Sequence, residues 1–527
     1  MRAIAPLVLV LLTCAAAAQD LPVRGMPPLA VEVDPRPLAQ LDADAVVVPV
    51  FSGEDPLATV LKPASPELAA ALTAARAQQA LGDAFSGTSV FAPRGLATPR
   101  LVLLNAGDET DLDTERIRRL AGAAVRQLRG QQVGSVAFLV RGGIPAADAA
   151  AAVAEGALLA HFDPGIHKTG KRPPALARVR IAGAGAPAAL GAAVERGTVL
   201  ARAQNLARSL IVEPSNFLTP AMMAQHARQI AAETALEVEI LDEEQMAAMG
   251  MGGVIAVGQG AAFPPRFIAL RYRAAHGAST TLALAGKGVT FDSGGISLKD
   301  GSGMYRMKGD MAGGAAVLGA MRAIAAIKPA VNVIGLVPAV MNLPSGTAQR
   351  PGDVFTNLSG KTVEVMSTDA EGRLILSDAV SYAVRQGATH IVDVATLTGS
   401  VISALGHHRT GAFASDDGFY AMLARAAERS GERFWRLPID EEYASGIRSS
   451  LVADLNETGG AAGASVGAKF IQQFAEGRPW IHLDIAGTSW PEAPAPHMAP
   501  GPTGVTVRTL AELASLMGGA PSTAPQR

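Results

Sequence analysis

The sequence predicts an α/β fold with two domains: a smaller N-terminal α/β domain joined by a long helix to a larger C-terminal α/β domain with a mixed central sheet. Three observations lead to this prediction. At roughly 150 residues per domain, 527 residues allow two to four domains. Short runs rich in Val and Leu alternate with Ala-rich helical patterns, which is typical of βαβ units. One long helical pattern, at 190–211, separates two series of such units.

The first 18 residues predict a signal peptide (1–18). They carry one arginine, an apolar stretch at 3–12 and small residues at Ala16 and Ala18 before Gln19. The apolar stretch is too short to cross a hydrocarbon layer of about 30 Å, and no transmembrane segment is expected in the rest of the chain. We therefore expect an exported protein, periplasmic or secreted. Anchoring as a lipoprotein through Cys14 is the alternative, which Thr13 disfavours because a small residue usually precedes the cysteine.

Residues 19–44 are predicted to form an irregular lead-in, because prolines stand at positions 27, 28, 35 and 37. The N-terminal domain is predicted at 45–190. Its strands are expected at 45–50, 101–105, 136–140 and 178–181, and its helices at 113–130 and 146–162. The linking helix is predicted at 191–213.

A second α/β series predicts the C-terminal domain at 214–517. Its strands are expected at 281–285, 331–337, 363–365 and 390–394, and its helices at 311–327 and 373–386. Residues 518–527 are polar and contain proline, which predicts a flexible tail.

Charge and cysteine content exclude several function classes. Basic and acidic residues number 45 and 47, and no long basic run occurs, so no nucleic-acid partner is expected. Cys14 is the single cysteine, so a mature chain without it has no disulfide, catalytic thiol or cysteine-bound zinc. The G-x-S-x-G pattern at 463–467 follows a glycine-rich segment and no strand, which favours a flexible loop over a serine-hydrolase elbow.

Two segments, each after an apolar strand-like run, concentrate four carboxylates: Asp292, Asp310, Asp369 and Glu371. The carboxyl ends of strands are where open α/β sheets bind ligands. Clustered carboxylates repel one another and raise each other's pKa, but divalent cations remove that penalty, and bridging carboxylates hold two metals about 3.5–4 Å apart. Two divalent metal ions are the hypothesis that these residues favour. Ion pairs that stabilise loop ends are the alternative, because three cations are interleaved with the acids: Lys287, Lys299 and Arg373.

These segments resemble the leucyl (cytosol-type) aminopeptidase family, and the chain resembles an exported, bacterial-type member of it. The family signature stands here as Ser-Thr-Asp-Ala-Glu-Gly-Arg-Leu at 367–374, with Ser367 in place of the usual asparagine. Ser367 could change how the Asp369 loop is held. The similarity covers most of 205–510 through further motifs at 257–260, 264–266, 351–354, 359–365, 396–399, 435–438 and 482–487.

The resemblance implies a role for each matching position. The tighter metal would be held by Lys287, Asp292, Asp310 and Glu371. The second metal would be held by Asp292, Asp369 and Glu371. Lys287 can be a ligand only as a neutral amine, which requires a strong Lewis acid beside it. Lys299 would stabilise the oxyanion, and Arg373 would hold a bicarbonate ion that moves the proton. Substrate would contact three further residues: Met307, Thr396 and Leu397.

The implied function is a two-metal aminopeptidase that hydrolyses the N-terminal residue, preferably apolar and Leu-like, from short peptides through a water or hydroxide that bridges Zn²⁺ or Mn²⁺ ions. The alternatives are a narrower dipeptidase, such as one that cleaves Cys-Gly, and a non-catalytic scaffold or nucleic-acid-binding relative. The resemblance further implies a homohexamer.

Overall fold

The computed structural model describes residues 24–62, 66–77, 82–170, 172, 174–275 and 277–519. The predicted signal peptide at 1–18, with Cys14, lies outside the described residues. So does the predicted tail after Gly519.

The N-terminal domain is built on a six-stranded sheet in the order β1-β6-β5-β2-β4-β3. All neighbouring strands pair in parallel except β3, which runs antiparallel to β4 at one edge. The strands are β1 (Ala30–Asp34), β2 (Ala45–Phe51), β3 (Gly87–Phe91), β4 (Arg100–Gly107), β5 (Ser135–Leu139) and β6 (Arg178–Ala182). The four strands predicted for this domain are confirmed as β2, β4, β5 and β6.

The expectation of an irregular lead-in over 19–44 is wrong at β1. This strand pairs in parallel with β6, from Ala30 opposite Arg178 to Asp34 opposite Ala182. It is an edge strand, and its first four residues are exposed or half-buried. Because its partner lies far along the chain and prolines flank it on both sides, the local pattern carries almost no strand signal.

Four helices accompany this sheet: α1 (Pro66–Ala77), α2 (Thr114–Leu128), α3 (Ala146–His161) and α4 (Pro187–Val212). Helix α2 starts where Asp113 accepts a hydrogen bond from the Arg116 backbone N–H, a standard N-cap. Both predicted helices, at 113–130 and 146–162, are confirmed as α2 and α3. Helix α4 occupies the segment predicted to link the domains, and its buried residues from Leu200 to Ile211 pack into the C-terminal core.

The C-terminal domain has a mixed central sheet in the order β16-β15-β18-β14-β9-β11-β8-β7, with β10 also paired to β11. A second, three-stranded sheet has the order β12-β13-β17. The strands are β7 (Glu237–Leu241), β8 (Arg266–Tyr272), β9 (Thr281–Gly286), β10 (Gly288–Asp292), β11 (Asn332–Asn342), β12 (Val354–Thr356), β13 (Thr362–Glu364), β14 (His390–Ala395), β15 (Thr410–Ala414), β16 (Phe434–Arg436), β17 (Leu455–Asn456) and β18 (Trp480–Asp484).

Helices cover both faces of the central sheet, and alternate strand residues face opposite cores. Leu282 and Leu284 of β9 pack with α4 and with the helices α5 (Pro220–Thr234), α8 (Ala312–Ile327), α11 (Asp417–Ser430) and α14 (Val507–Met517). Ala283 and Ala285 of β9 face the opposite core. That core contains residues of α6 (Glu243–Met249), α7 (Gly252–Gly258), α9 (Glu371–Arg385), α10 (Gly399–Leu405), α12 (Ala444–Ile447) and α13 (Gly463–Gln472).

Two features of these helices bear on predictions from sequence. The stretch Met304–Ile327 is long and apolar enough to cross a membrane, but most of it is buried inside the fold as a core helix.

The prediction of a flexible loop at 463–467 is wrong, because α13 starts at Gly463. The glycine-rich segment ends one residue earlier, at Ala462, which has a left-handed conformation (φ 61°), and Ala464 and Val466 anchor the helix in the core.

A buried ionic network joins the two domains. Glu155 of α3 lies 2.7 Å from both Arg118 of α2 and Arg508 of α14, through one carboxylate oxygen. All three side chains are buried. Arg508 also donates to the side chain of Gln204 on α4 (2.6 Å). One carboxylate therefore forms ion pairs with guanidinium groups from both domains.

Replacing Glu155 with alanine is expected to lower the free energy of unfolding by about 3–5 kcal/mol, because it leaves two buried guanidinium groups without their shared partner. Urea denaturation followed by circular dichroism measures this. Glu195→Ala, an exposed glutamate on α4, is the control and should change stability by less than about 0.5 kcal/mol. An equal loss in both variants would contradict the assigned importance of the network.

Candidate functional site

The carboxyl ends of four neighbouring strands meet at one edge of the central sheet. β9, β10, β11 and β14 are mutually parallel. Asp292 and Asn342 are the last residues of β10 and β11, and Lys287 and Thr396 directly follow β9 and β14. The topology thus gathers side chains that lie far apart in sequence, as expected for ligand sites in α/β sheets.

Lys287 lies at the centre of this group and is buried. Its Nζ is 2.7 Å from Oδ2 of Asp310 and 2.7 Å from Oε1 of Glu371, and it donates to the carbonyl of Thr396 (2.9 Å). Backbone hydrogen bonds hold the residue on both sides: its N–H donates to Val394, and its carbonyl accepts from Gly314. Lys287 therefore connects three of the predicted site residues.

Lys299 forms the second cationic centre. Its Nζ lies 2.7 Å from Oδ2 of Asp292 and forms an ion pair with Asp369. The turn that returns Lys299 to the site contains Gly294 and Gly295, both with positive φ (89° and 66°). A Cβ on Gly295 would stand 2.6 Å from Oδ1 of Asn342, so this close passage of the chain requires glycine.

The arrangement fits a divalent cation. Carboxylate oxygens of Asp292, Asp369 and Glu371 all lie within 4.8 Å of one another. Asp310 Oδ2 and Glu371 Oε1 are buried, and both face Lys287 Nζ, which lies 2.7 Å from each of them. Four carboxylates face two ammonium groups, so the fully ionised cluster has an excess of two negative charges. Buried carboxylate oxygens with an uncompensated negative charge are what a hard cation neutralises.

Burial and mutual repulsion shift the pKa values of the acids in this cluster. Burial, with repulsion from Glu371, raises the pKa of Asp292, and burial raises the pKa of Asp310 well above its usual value. Burial opposes the charged form of Lys287, but the carboxylates of Asp310 and Glu371 outweigh it and raise the lysine pKa. In the absence of metal Lys287 is thus an ammonium ion, and it can become a ligand only by losing that proton.

Gly372 lets helix α9 approach Lys287. A Cβ at this position would stand 2.7–3.0 Å from the Cδ, Cε and Nζ atoms of Lys287. Gly372→Ala should therefore displace the flexible end of Lys287 while leaving the helix intact, since alanine favours helices over glycine by about 1 kcal/mol. We expect at least a tenfold loss of peptide hydrolysis, with a helix content by circular dichroism equal to that of the wild type.

The control position is Gly191, which is helical in α4 and has open space where a Cβ would stand. Gly387 is unsuitable as a control, because its positive φ (78°) would strain an alanine. Gly191→Ala should keep full activity. Wild-type turnover in Gly372→Ala would contradict the close packing between α9 and Lys287.

The loop that carries Asp369 is fixed by its own capping residue and by a buried acid. Ser367 Oγ accepts a hydrogen bond from the Asp369 N–H (3.3 Å). The buried carboxylate of Glu457 accepts from the N–H groups of Met366 and Ser367 (2.6–2.9 Å). Serine at 367 thus supplies a side-chain acceptor for the turn that presents Asp369.

Arg373 follows Glu371 on the first turn of α9 and is buried. It donates to the carbonyl of Glu457 (2.6 Å), while its Nε has no acceptor among the described residues. Burial lowers its pKa, although the nearby carboxylates of Glu457, Glu371 and Asp484 oppose this. A buried guanidinium with an unused donor suits a small anion.

The predicted substrate-contacting residues lie at the same edge of the sheet. Thr396 donates its hydroxyl to Oδ1 of Asp310 (2.7 Å), and the N–H of Leu397 donates to the buried carboxylate of Asp484 (3.1 Å). Met307 is half-buried in the short 3₁₀ helix Met304–Gly309, where its carbonyl accepts from the Asp310 N–H. The structure thus brings all ten predicted residues to one region; their individual roles stay predictions.

Sequence reasoning missed three polar residues that hold the site: Asn342, Glu457 and Asp484. Asp484 lay inside a quoted motif but was assigned no role. Asn342 had a weak signal, because a polar residue stands there at the end of a mostly apolar run, 333–341. Glu457 had none, since its contacts lie about 90 residues away.

Comparison with known proteins agrees with this geometry. The catalytic domain of the cytosol aminopeptidase family matches residues 205–511, and the N-terminal domain of the same family matches residues 47–171. The second match extends the similarity from 205–510 into the N-terminal domain.

Two curated relatives are each named "Probable cytosol aminopeptidase". The one from Solibacter usitatus is 46% identical over 488 residues, covering 92% of this chain and 98% of its own. The one from Koribacter versatilis is 39% identical, covering 91% and 98%.

Two solved structures have the same fold. A tomato leucine aminopeptidase mutant has a TM-score of 0.84 and 33% identity, covering 93% of this chain and 97% of its own. The bottromycin maturation enzyme BotP in complex with Mn has a TM-score of 0.81 and 32% identity, covering 90% and 100%.

Proposed function

The chain belongs to the cytosol aminopeptidase family and is a metal-dependent aminopeptidase, and from this premise we propose how its own site works. It would remove apolar, Leu-like N-terminal residues from short peptides and use two divalent cations, Zn²⁺ or Mn²⁺. The observation that carries the proposal is the cluster of four carboxylates, three of them buried, with its excess of negative charge.

The proposed ligand sets share two carboxylates. Lys287, as a neutral amine, and Asp310 would belong to one cation, Asp369 would belong to the other, and Asp292 and Glu371 would serve both. When bound, the cations would act as Lewis acids that polarise the scissile carbonyl and make water more acidic. Lys287 and Lys299 already place two ammonium groups among these oxygens, so the cluster accommodates positive charge.

Lys299 would stabilise the oxyanion. Its side chain is 24% exposed, whereas that of Lys287 is 4% exposed, so the Lys299 ammonium can meet a substrate that enters from solvent. A positioned ammonium ion beside a developing negative charge lowers the barrier to carbonyl addition.

Arg373 would hold a bicarbonate ion that accepts and returns a proton. Support comes from its burial, its donor without an acceptor and its position two residues after Glu371 on α9. A guanidinium favours planar oxyanions because its N–H groups form a fixed fork.

Met307, Thr396 and Leu397 are proposed to contact substrate. The N–H of Leu397 is held by Asp484, and the hydroxyl of Thr396 is held by Asp310, so this strand end has a fixed conformation beside the cluster. A rigid strand end can align a short peptide for attack on its first carbonyl.

Hydrolysis of leucine anilide and of Leu-Gly by the metal-stripped protein, with and without added Mn²⁺ or Zn²⁺, tests the proposal. We expect turnover only with metal. N-acetyl-Leu-Gly is the matched control substrate and should not be cleaved, because it has no free α-amino group. Absence of turnover with every metal would overturn the proposal, and cleavage of the acetylated peptide would overturn the exopeptidase assignment.

We further propose a homohexamer and an exported protein. The hexamer is proposed from membership of the family; Leu451 and Val452, which are 98% and 68% exposed, are proposed as contacts between its subunits. Export is supported by the sequence at 1–18 alone. The mass in solution by light scattering checks the first proposal, and the N-terminal residue of the mature protein after expression in a bacterium checks the second.

A further inference from the structure

Asn342 ends strand β11 directly beside Asp292, which ends the parallel strand β10. The two residues are register partners. The Asn342 side chain is buried, and its amide nitrogen donates two hydrogen bonds: to Oδ1 of Asp292 (2.8 Å) and to the carbonyl of Thr368 (2.9 Å). One neutral amide thus bridges the two loops that carry the metal-site carboxylates.

The first hydrogen bond determines which way Asp292 faces. Oδ1 of Asp292 accepts from Asn342 and from the N–H of Gly294 (2.9 Å). Its two donors occupy this oxygen, so Oδ2 turns toward the cluster, where it lies 2.7 Å from Lys299 Nζ. A neutral donor does this without adding charge to a site that already has four carboxylates.

The second hydrogen bond sets the position of the other loop. Thr368 immediately precedes Asp369, so a donor on its carbonyl fixes the backbone from which Asp369 projects. We propose that Asn342 is a positioning residue that holds Asp292 and Asp369 at the spacing required for metal binding, an inference that rests on the proposed two-metal function.

The loops have other connections, so loss of Asn342 should not unfold them. Thr368 Oγ1 donates to the Gly294 carbonyl (2.6 Å) and accepts from the Ser297 N–H (2.8 Å), and the Asn342 carbonyl still accepts from Ser293. These bonds do not involve the Asn342 amide. The expected defect is therefore confined to the orientation of the carboxylates.

Asn342→Leu tests the proposal, because leucine has nearly the same shape and no donor. Mn²⁺ binding to the metal-stripped full-length protein is measured by electron paramagnetic resonance titration, and unfolding of the metal-free protein by circular dichroism. We expect Mn²⁺ affinity to fall about 10–100-fold, as is usual when a partner of a metal ligand is removed. Peptide hydrolysis at saturating Mn²⁺ should recover in part.

Asn332→Leu is the matched control. Asn332 begins the same strand, and its amide likewise donates to a carbonyl, that of Ala278 (2.8 Å), at the end remote from the site. It should reduce stability without changing Mn²⁺ affinity. Asn342→Ser is the second variant, in case the leucine variant does not fold. Serine is smaller and cannot donate both hydrogen bonds, so this variant should also weaken Mn²⁺ binding.

Unchanged Mn²⁺ affinity in both Asn342 variants would overturn the inference while leaving the proposed function intact. Equal weakening in Asn332→Leu would overturn it too, because the effect would then be general to the strand. A wild-type protein that binds neither Mn²⁺ nor Zn²⁺ would overturn the proposed function and this inference together.

Discussion

Glu371→Gln is expected to reduce kcat/KM for Leu-Gly by at least about 10³-fold and to lower the amount of bound metal. The side chain is buried, one oxygen lies 2.7 Å from Lys287 Nζ, and the carboxylate belongs to the group that lies within 4.8 Å of Asp292 and Asp369. Glutamine keeps the shape but removes the negative charge, so a site proposed to share this carboxylate between two cations loses a ligand of both. Steady-state kinetics and metal analysis by mass spectrometry measure the two effects.

The metal-free Glu371→Gln protein should unfold at the same temperature as the wild type or higher, since the substitution removes one of the mutually repelling charges. Asp417→Asn is the matched control, because Asp417 is also an acidic first residue of a helix but is exposed. It should keep full activity and metal content. Normal turnover or normal metal content in Glu371→Gln would contradict the proposed ligand set.

Lys299→Ala is expected to lower kcat by about 10²–10³-fold with metal content unchanged. The Lys299 ammonium lies beside Asp292 and Asp369 at the exposed side of the cluster, where it is proposed to stabilise the oxyanion, and loss of one such group costs a factor of this size. The variant also removes a positive charge that competes with cations for these carboxylates, so metal should bind at least as tightly.

Kinetics with Leu-Gly and a metal titration separate the two roles of Lys299. Lys62→Ala, at an exposed lysine of the N-terminal domain, is the control and should leave both measurements unchanged. Weaker metal binding in Lys299→Ala would show that Lys299 supports the ligands instead of the oxyanion.

The parts of the fold that could be predicted from sequence are those with a local signal. β2 and β4 are runs of mostly buried residues rich in Val and Leu, β5 is a run of mostly buried apolar residues, and α2 has a capping aspartate and a clear helical period. β1 could not be predicted, because edge pairing with β6 alone makes it a strand. For the same reason the order of the strands in the central sheet was not accessible: it depends on pairings such as β14 with β9, far apart in the chain.

The residues of the candidate site also differ in whether the local sequence marks them. A charged residue at the end of an apolar run, such as Asp292, can be recognised in the sequence, because a buried charge must be paired or bind a metal. The residues that orient such acids are harder to recognise: Asn342, Glu457 and Asp484 act through hydrogen bonds to distant backbone or carboxylate groups. A neutral amide or a lone acid in a strand has many uses, and only the three-dimensional arrangement distinguishes them.

The order of the strands at the site edge has a consequence for folding. Lys287 follows β9, Asp292 ends β10, and Asp310 and Glu371 come later in the chain, after a 3₁₀ helix and after β13. The proposed ligand set is therefore complete only after these distant segments have come together. Contacts of such long sequence separation form late and slowly. A ribosome-bound chain that ends before Glu371 would lack one of the proposed ligands, so metal capture should follow the synthesis of this residue and not assist the earlier folding steps.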